Sequence, residues 1–412
     1  MSSLSRPLDI VLLGATGYTG KLCAEHIVKH HPTDLRWALA GRSAEKLNAL
    51  SEELHKQAPD RKAPEILPVQ LNDADLGDLA RKTRVLINCV GPFHIFSSPV
   101  VAACADNGTH YLDITGEVPW IKQMINKYHE SAKSKGTILI SAVGMESVPA
   151  DVLSWAMANA LKEKYGVRTK EAIVSGYELK FSGISGGTLA SALSLSQGMS
   201  SNEILASTDP HYIAVSPPAT SKKAPLLERL FGARTVPHVG TVTSSIGSII
   251  DVPVVQRGAS LMTDLYDPDF RFWEYMNVSN KLVGALVHFA LAVISLVVVI
   301  PPLRWLANAL GPAQGTGPSE ARRKKARLEF RGTATGTKSD GTPVRALGRL
   351  AYEGCPYTLT GLVATEAAML LARNEGLVKD LGGGYLTPAM LRQSYVDRLQ
   401  KAGVVIEAQV LE

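Results

Sequence analysis

The chain has 412 residues, of which 45% are hydrophobic and 20% are charged, a composition typical of a folded globular protein with room for two or three domains. Its formal net charge of +5 is too small to indicate a nucleic-acid-binding protein, so we expect no nucleic-acid partner. The cysteines, Cys23, Cys89, Cys104 and Cys355, lack the paired spacing of a zinc site, and we therefore expect free thiols in a reducing compartment and no metal.

The first predicted strand ends in a glycine-rich turn. An apolar run at 10–13 is followed by Gly14, Gly17 and Gly20 and by a helix-compatible segment at 18–31. Strand, glycine turn and helix in this order predict a dinucleotide-binding unit, because glycine lets the backbone approach a pyrophosphate and the helix N-terminus attracts its charge. An ordinary tight turn is the alternative interpretation. The predicted pyrophosphate-binding residues are Gly14, Ala15, Thr16, Gly17, Tyr18 and Thr19.

The second predicted strand, at 35–40, indicates which dinucleotide is bound. It ends at Gly41, Arg42 and Ser43, where an NAD site usually carries an acidic residue for the ribose hydroxyl. The guanidinium fork of Arg42 suits a 2′-phosphate instead, and Ser43 can assist it. We therefore predict NADPH as the cofactor. The alternative is that Arg42 is a solvated loop residue and Ser43 only caps the next helix.

Further strands alternate with helices in the first third of the chain. They are predicted at 66–69, 84–90, 109–114 and 137–143. This alternation predicts an α/β fold in which residues 1–150 form an N-terminal Rossmann domain, a doubly wound parallel sheet that binds NAD(P).

The carboxyl ends of these strands are the expected ligand edge of the sheet. Residues predicted to border the adenosine ribose and the nicotinamide are Asn88, Val90, Gly91 and Pro92. Candidates for a proton donor are His94, Tyr111 and Asp113, but no catalytic residue is assigned, since water can act as the acid. A structural role is the favoured interpretation of each: a surface loop, core packing and a turn cap, respectively.

The rest of the chain predicts a second, α+β domain at 151–360, for substrate binding or dimerisation. Strand-like runs occur at 171–181, 326–335 and 344–352, whereas no element can be placed between 200 and 260. The final part, 361–412, is expected to form helices that pack back on the body.

An unusual segment at 282–303 contains no Asp, Glu, Lys or Arg, and His288 is its only titratable residue. Its length and apolarity meet the threshold for a membrane-spanning helix. Three interpretations remain open: association with a lipid surface, a buried or dimer-interface helix, and a true span. A basic cluster nearby can meet anionic lipid or remain a solvated charge run. Its members are Arg322, Arg323, Lys324, Lys325 and Arg327.

Nine motifs occur in one order along nearly the whole chain. They are GATGYTG at 14–20, AGRS at 40–43, NCVGPF at 88–93, YLDITGE at 111–117, SVPAD at 147–151, SGGT at 185–188, GPSEARR at 317–323, TGLVATEAAMLLA at 360–372 and GGGYLTPA at 382–389. As an ordered set they resemble the saccharopine dehydrogenase-like oxidoreductases, including the trans-acting enoyl reductases of mycobacterial lipid synthesis and their eukaryotic relatives. One segment departs from this pattern: Met145 and Glu146 stand where an aromatic residue and an aspartate would be expected.

The resemblance implies a Rossmann domain, an α+β domain and an NADPH-dependent reduction, often of a lipid-like substrate. A saccharopine-type ligand carries several carboxylates and needs cationic partners, whereas the second region is rich in apolar residues. We therefore predict an enoyl (C=C) reductase acting on a hydrophobic acyl or polyketide-type chain, either free or bound to a carrier. Two alternatives remain: a non-catalytic NADP-binding protein of a membrane or lipid droplet, and a saccharopine-type imine dehydrogenase.

The resemblance also bears on location. Eukaryotic relatives are associated with lipid droplets and membranes, in agreement with the segment at 282–303. We therefore expect the cytosolic face of a membrane or lipid droplet, or otherwise the cytoplasm. A homodimer is a further hypothesis.

Overall fold

The structure is a computed structural model that describes residues 6–180, 183–215 and 226–412. Within these ranges the strands form two seven-stranded sheets. The first sheet is parallel throughout, and the second is mixed. The predicted α/β fold, with an N-terminal Rossmann sheet and a second α+β domain, is therefore confirmed.

The N-terminal elements alternate strictly between strand and helix up to the end of the fourth strand. In chain order they are β1 (Leu8–Leu13), α1 (Tyr18–His30), β2 (Trp37–Gly41), α2 (Ala44–Gln57), β3 (Glu65–Pro68), α3 (Asp73–Lys82), β4 (Thr83–Asn88), α4 (Phe93–Phe96), α5 (Ser98–Asn107), β5 (His110–Asp113), α6 (Val118–Ser134) and β6 (Ile138–Ile140).

The central strand β1 is buried on both faces, which explains its continuous apolar run. Ile10 and Leu12 belong to the hydrophobic cluster around α1, whereas Val11 and Leu13 belong to a second cluster on the other face. β1 pairs with β2 on one side and with β4 on the other. The strand order therefore reverses beside β1, and this is the point at which open parallel sheets bind ligands.

The chain then builds the second sheet and returns to the first. The elements are α7 (Val148–Tyr165), β7 (Thr169–Lys180), α8 (Gly186–Gly198), α9 (Ser201–Ala206), α10 (Leu226–Phe231), β8 (Arg234–Val236), β9 (Gly240–Ser244), α11 (Ser248–Leu261), β10 (Tyr266–Asn277), α12 (Lys281–Val299), α13 (Pro301–Leu310), α14 (Glu320–Arg323), β11 (Arg327–Thr337), β12 (Pro343–Tyr352), α15 (Pro356–Arg373), α16 (Glu375–Leu381), β13 (Gly384–Leu386), a 3₁₀ helix (Pro388–Leu391), α17 (Arg392–Lys401) and β14 (Val405–Val410).

The second sheet has the strand order β14-β12-β11-β7-β10-β9-β8. β7 lies at its centre, antiparallel to β11 and parallel to β10. Strands were predicted close to β7, β11 and β12, although Phe181, the last residue of the first prediction, lies outside the described residues. The inner face of this sheet packs against α7 and α11 in the same hydrophobic cluster that covers the first sheet.

The C-terminal part of the chain joins both sheets rather than forming helices alone. β13 pairs with β6 in the first sheet, and β14 pairs with β12 in the second. The predicted boundary at residue 360 falls inside α15, which packs on α1 and β4. These two strands escaped prediction because each is short and half polar or glycine-containing, so that neither shows a clear period-two pattern.

The apolar segment at 282–303 is divided into α12 and α13 by Ile300 and Pro301. In the part of the chain that the structure describes, no helix combines the length and the apolarity that crossing a membrane requires. His288 is a satisfied polar group, because its Nδ1 lies 2.8 Å from the Ser244 hydroxyl.

A buried polar network joins α1 to α15. Oε1 of Glu366 lies 2.9 Å from Nε2 of His26 and 3.1 Å from Nε2 of His31, and its Oε2 lies 2.5 Å from Arg398. The three ligand atoms of His26, His31 and Glu366 fall within 4.8 Å of one another, close enough to hold a metal. Both carboxylate oxygens are already hydrogen-bonded, however, and we interpret the group as an ion-pair network that fixes the two helices.

Candidate functional site

The glycine turn after β1 is shaped by close backbone contacts. Gly14 has a φ of +78°, and a Cβ there would lie 2.9 Å from the carbonyl carbon of Cys89. A Cβ on Gly20 would lie 2.3 Å from the Gly14 oxygen, so this position brings α1 against the turn. Any larger residue would push the helix away from the strand.

The start of α1 is suited to an anion. Gly17 is its N-cap, so among the described residues no side chain caps the helix, and its first turn has no acidic residue. Ala15 is buried, whereas Thr16, Tyr18 and Thr19 are partly exposed. The free N–H groups and the positive end of the helix dipole therefore meet at an accessible surface, which fits a pyrophosphate.

The end of β2 carries the residues predicted to read the 2′-phosphate. Arg42 is exposed and lies at the same sheet edge as the glycine turn. Ser43 is the N-cap of α2, and its hydroxyl accepts a hydrogen bond from the Lys46 amide at 3.3 Å. Ser43 thus has the capping role that we set beside its binding role, whereas Arg42 is exposed to solvent and its role at a phosphate stays a prediction.

The residues after β4 divide into a buried support and an exposed edge. Nδ2 of Asn88 donates to the Ser97 hydroxyl at 2.8 Å and to the Tyr111 hydroxyl at 3.0 Å, and its Oδ1 accepts from the Val90 amide at 3.0 Å. The side chain of Asn88 therefore uses its hydrogen-bonding groups within the protein, where it stabilises the turn. Val90 and Gly91 lie at the sheet edge, where Val90 would contact a Cβ on Gly14.

Gly91 and Pro92 are joined by a cis peptide bond and face the second domain. A Cβ on Gly91 would lie 3.3 Å from the hydroxyl of Ser191, on α8. The helix α8 thus packs against the turn that follows β4.

A second contact from the other domain covers the glycine turn. The Tyr18 hydroxyl donates to the Pro318 carbonyl at 2.6 Å, and the Tyr18 ring meets the edge of the Tyr357 ring at 5.2 Å between centroids. The guanidinium of Arg323 lies 6.0 Å from the Tyr18 ring centroid. The segment at 317–323, which we call the Pro318 strap, therefore lies over the start of α1. Its Arg323 places a cation near the predicted phosphate site.

His94 is buried rather than placed in a surface loop. Its Nδ1 lies 2.7 Å from Oε2 of Glu117, and the same carboxylate accepts from the amides of Phe93 and His94. Its Nε2 has no hydrogen-bond partner among the described residues, yet a Cβ on Gly198 would lie only 2.6 Å from it. The free nitrogen therefore faces the backbone of α8, so that a substrate could reach it only if α8 moved.

Tyr111 and Asp113 lie inside the protein. Tyr111 is fully buried, and its hydroxyl accepts the hydrogen bond from Asn88. Asp113 accepts from the Thr115 and Ala142 amides and from the Ser141 hydroxyl at 2.6 Å. Burial raises the pKa of Asp113 to about 6 although these hydrogen bonds oppose the shift. Both residues support the ends of β5 and β6, in agreement with the structural roles that we favoured.

Three further carboxyl groups, which the sequence did not single out for chemistry, are buried close to one another beyond the end of β6. Burial raises the pKa of Glu146 to about 7, and Asp251 lies near enough to feel its charge. A Cβ on Gly247 would lie 2.9 Å from Oε1 of Glu274 and 3.1 Å from Oδ2 of Asp251. We call Glu146, Asp251 and Glu274 the acid cluster. Only Glu146 gave a signal in the sequence, as a departure from the expected motif.

Four exposed apolar side chains, which we call the apolar rim, follow β4 and surround the start of α11. Ile95 and Phe96, after β4, are 53% and 40% exposed, and Ile246 and Ile249, around the start of α11, are 60% and 55% exposed. These two segments lie near each other. The Ile250 side chain packs against Gly116, and the next residue, Glu117, accepts hydrogen bonds from the amides of Phe93 and His94 after β4.

Comparisons with known proteins agree with this geometry. A family model described as the saccharopine dehydrogenase NADP-binding domain matches residues 10–140. A Mycobacterium tuberculosis protein named putative trans-acting enoyl reductase is 31% identical over 432 residues, which covers 99% of each chain. A trans-acting enoyl reductase of Mycobacterium leprae is 29% identical over 424 residues, which covers 98% of this chain and 99% of the other.

A solved structure also resembles the whole chain. Apo saccharopine dehydrogenase (L-Glu forming) from Saccharomyces cerevisiae superimposes with a TM-score of 0.54 and 12% sequence identity, covering 98% of this chain and 99% of that one. At this identity the similarity concerns the fold alone. The matched NADP-binding domain contains the predicted cofactor residues from Gly14 to Pro92.

Proposed function

Because the chain belongs to the saccharopine dehydrogenase-like oxidoreductases and its first domain is of their NADP-binding kind, we propose that it is an NADPH-dependent enoyl reductase. Its substrate would be a hydrophobic acyl or polyketide-type chain, free or attached to a carrier. The relatives named trans-acting enoyl reductase support this reaction, although their identity to the chain is only about 30%.

The observation that carries the proposal is the chemistry of the cleft. A saccharopine-type substrate has several carboxylates, which require arginine or lysine partners. The acid cluster would instead repel such a ligand, and the deeply buried Arg257 donates its hydrogen bonds to the carbonyls of Tyr385 and Ile213. An apolar substrate with one polarised thioester or ketone fits a rim of Ile95, Phe96, Ile246 and Ile249 better.

NADPH, when bound, supplies a hydride for the double bond. The residues of the chain would bind and orient the reactants. The turn at Gly14 and Gly17 would receive the pyrophosphate on the free amides of α1, and Arg42 would pair with the 2′-phosphate. Asn88 would hold the end of β4 in place, while α8 and the Pro318 strap would limit the access of water to the cleft.

The test is direct. Binding of NADPH and NADH to the purified full chain would be followed by fluorescence, and NADPH oxidation would then be measured with a panel of 2-enoyl thioesters, saccharopine and cyclic imines. We expect tighter binding of NADPH than of NADH and turnover with the enoyl thioesters. Turnover confined to saccharopine or imines would favour the imine dehydrogenase, and binding without any turnover would favour the non-catalytic protein.

The exposed face of α12 and α13 supports a second proposal, a peripheral contact with a lipid surface. Leu282, Leu286, Phe289 and Val293 form a stripe along α12 and are between 52% and 72% exposed. Trp305 on α13 is 72% exposed and would lie at the depth of the lipid headgroups. Such a face is well suited to lying in an interface, from which an apolar substrate could reach the cleft.

The basic cluster contributes less to this contact than its charge implies. Lys324 pairs with Glu320 at 2.7 Å, and Arg327 pairs with Glu353 at 3.2 Å. Apolar burial would therefore account for most of the binding. We expect the full chain to bind neutral vesicles of phosphatidylcholine and also anionic vesicles in which phosphatidylserine is mixed with it. The preference for the anionic vesicles should be modest.

A triple variant tests this second proposal. Replacing Leu286, Phe289 and Val293 by serine should abolish sedimentation with vesicles, whereas Leu205→Ser, at a 71% exposed site on α9, should not. If the same triple variant instead converts a dimer to a monomer in analytical ultracentrifugation without vesicles, the face is a contact between two copies of the chain.

A further inference from the structure

Two carboxyl groups of the acid cluster are buried side by side without a cation. Asp251 on α11 is 4% exposed, and Glu274 on β10 is 7% exposed. Oδ1 of Asp251 and Oε2 of Glu274 have no hydrogen-bond partner among the described residues. The other Glu274 oxygen accepts from the Ser245 hydroxyl at 2.8 Å. Two ionised carboxylates cannot be stable in this arrangement, so the pair must retain a proton.

The groups that face the pair reinforce this conclusion. Glu146 and Asp151 lie near enough to act on Asp251 electrostatically, and both are acidic. Neither Asp251 nor Glu274 forms an ion pair with any residue in the described ranges. Burial is the main cause that raises the pKa of Asp251 well above its usual range, and the charge of Glu274 adds to this shift. Burial also raises the pKa of Glu274, although hydrogen bonds from Asp251 and Ser245 oppose the shift. We take Asp251 as the member that bears the proton, because it is the more deeply buried of the two and because Glu274 already accepts a hydrogen bond from the Ser245 hydroxyl.

The pair lies near the carboxyl ends of β5 and β6. Ile250, the neighbour of Asp251, lies against Gly116 just beyond β5, and Glu146 follows β6. In a doubly wound sheet the half from β4 to β6 receives the second nucleotide of the coenzyme, which carries the nicotinamide. Asp251 thus reaches this edge from the substrate domain, opposite the coenzyme domain.

We propose that Asp251 is the acid of the reaction and that Glu274 positions its proton. The inference rests on the proposed enoyl reduction. The substrate double bond accepts a hydride at its β-carbon, and the π electrons pass to the α-carbon and carbonyl. The α-carbon then takes the proton from the Asp251 carboxyl group, whose O–H bond breaks. The enoyl group is reduced, NADPH is oxidised to NADP⁺, and the ionised pair regains a proton from water.

Two isosteric variants separate the roles. Asp251→Asn removes the acid and should lower kcat with the best 2-enoyl thioester by about 10²-fold or more, with little change in the Kd for NADPH. Glu274→Gln leaves the acid but removes its charged neighbour, so the pKa of Asp251 should fall. Because activity requires the protonated form, kcat is lost as the pH rises through this pKa, and the alkaline limb of the kcat profile should shift to lower pH.

Glu329→Gln is the matched control. Glu329 is also a buried carboxyl group of the second sheet, but it pairs with Arg331 and Arg349 at 2.7 Å and 3.4 Å. Its replacement should leave the pH profile unchanged. Infrared difference spectra provide a readout that needs no turnover: one component of the carbonyl stretch of protonated carboxyl groups should be present in the wild type at neutral pH and lost in Asp251→Asn, whereas the component that arises from Glu146 should remain in both.

The outcomes are distinguishable. Turnover by Asp251→Asn at the wild-type rate, or an unshifted profile in Glu274→Gln, overturns the role of the pair and leaves enoyl reduction standing. Absence of turnover by the wild type with every enoyl thioester overturns both. If Asp251→Asn loses its helical circular dichroism or NADPH binding, the profile of Glu274→Gln and the wild-type infrared band decide the matter.

Discussion

At the scale of single residues, we expect the cofactor preference to depend on one exposed guanidinium. Arg42 stands at the end of β2, beside the turn of Gly14, and is exposed to solvent. An arginine in this position can form two parallel hydrogen bonds with a phosphate, and such charge-assisted bonds are stronger than neutral ones. The other predicted residue at this strand end, Ser43, caps α2. Arg42 should therefore be the main determinant of NADPH over NADH.

Arg42→Glu should reverse this preference. The substitution removes the cation and places a carboxylate against the 2′-phosphate, whereas NADH has no phosphate there. A hydrogen bond to a charged group contributes about 1.5–3 kcal/mol, so the Kd for NADPH should rise at least tenfold while that for NADH changes little. Fluorescence titration measures both constants. Lys56→Glu, the same charge change at the far end of α2, is the control, and an unchanged NADPH/NADH ratio in Arg42→Glu would contradict the assignment.

At the scale of elements, local patterns were predictable, but contacts across the chain were not. The β1–turn–α1 unit could be recognised because the glycines and the flanking apolar run are contiguous in sequence. Asp251 and Glu274 could not, since they meet only when α11 and β10 pack together. The short strands β13 and β14 likewise acquire their state from β6 and β12, with which they pair. Single-sequence periodicity contains no information about such partners.

The contact of α1 with α15 should depend on pH through its buried network. His26, His31 and Arg398 hold the pKa of Glu366 far below its usual value although burial opposes them. Burial lowers the pKa of His31 below its ordinary value of 6.5. As the pH falls below 6.5, His31 therefore binds a proton in the unfolded chain before it does so in the folded chain. The free energy of unfolding should decrease accordingly. The Glu366 contribution is complete above its ordinary pKa of 4.5 and should be lost as the pH falls further.

Glu366→Gln tests the contribution of this network to stability. Glutamine removes the charge with which Arg398 pairs and replaces one accepting oxygen by an amide nitrogen that can only donate, and breaking a buried pair of this kind costs about 3–5 kcal/mol. The melting temperature at pH 7 should fall, and the additional loss below pH 4.5 should largely disappear. Differential scanning calorimetry across this range measures both effects. Glu375→Gln, at an 86% exposed side chain, should behave like the wild type.

At the scale of the whole molecule, the proposed site draws on both domains. The first sheet contributes the turn at Gly14, whereas the proposed acid pair consists of Asp251 on α11 and Glu274 on β10 of the second sheet. The segments that close the cleft, α8 and the Pro318 strap, come from between the strands of the second sheet. The domain that binds the coenzyme therefore does not by itself determine the substrate. The specificity should depend on the apolar rim, where the second domain meets the ends of β4 and β5.

Ile249→Asp should reveal this dependence. Ile249 is 55% exposed at the start of α11, beside Ile250, which lies against Gly116. If acyl chains lie along this rim, each buried methylene contributes about 0.8 kcal/mol, or about fourfold in affinity. A carboxylate at the rim should therefore raise KM for long-chain enoyl thioesters much more than for short-chain ones, with kcat little changed. Val405→Asp, on the edge strand β14, controls for an added surface charge. Equal increases in KM for short and long chains would mean that the acyl chain leaves the cleft by another path.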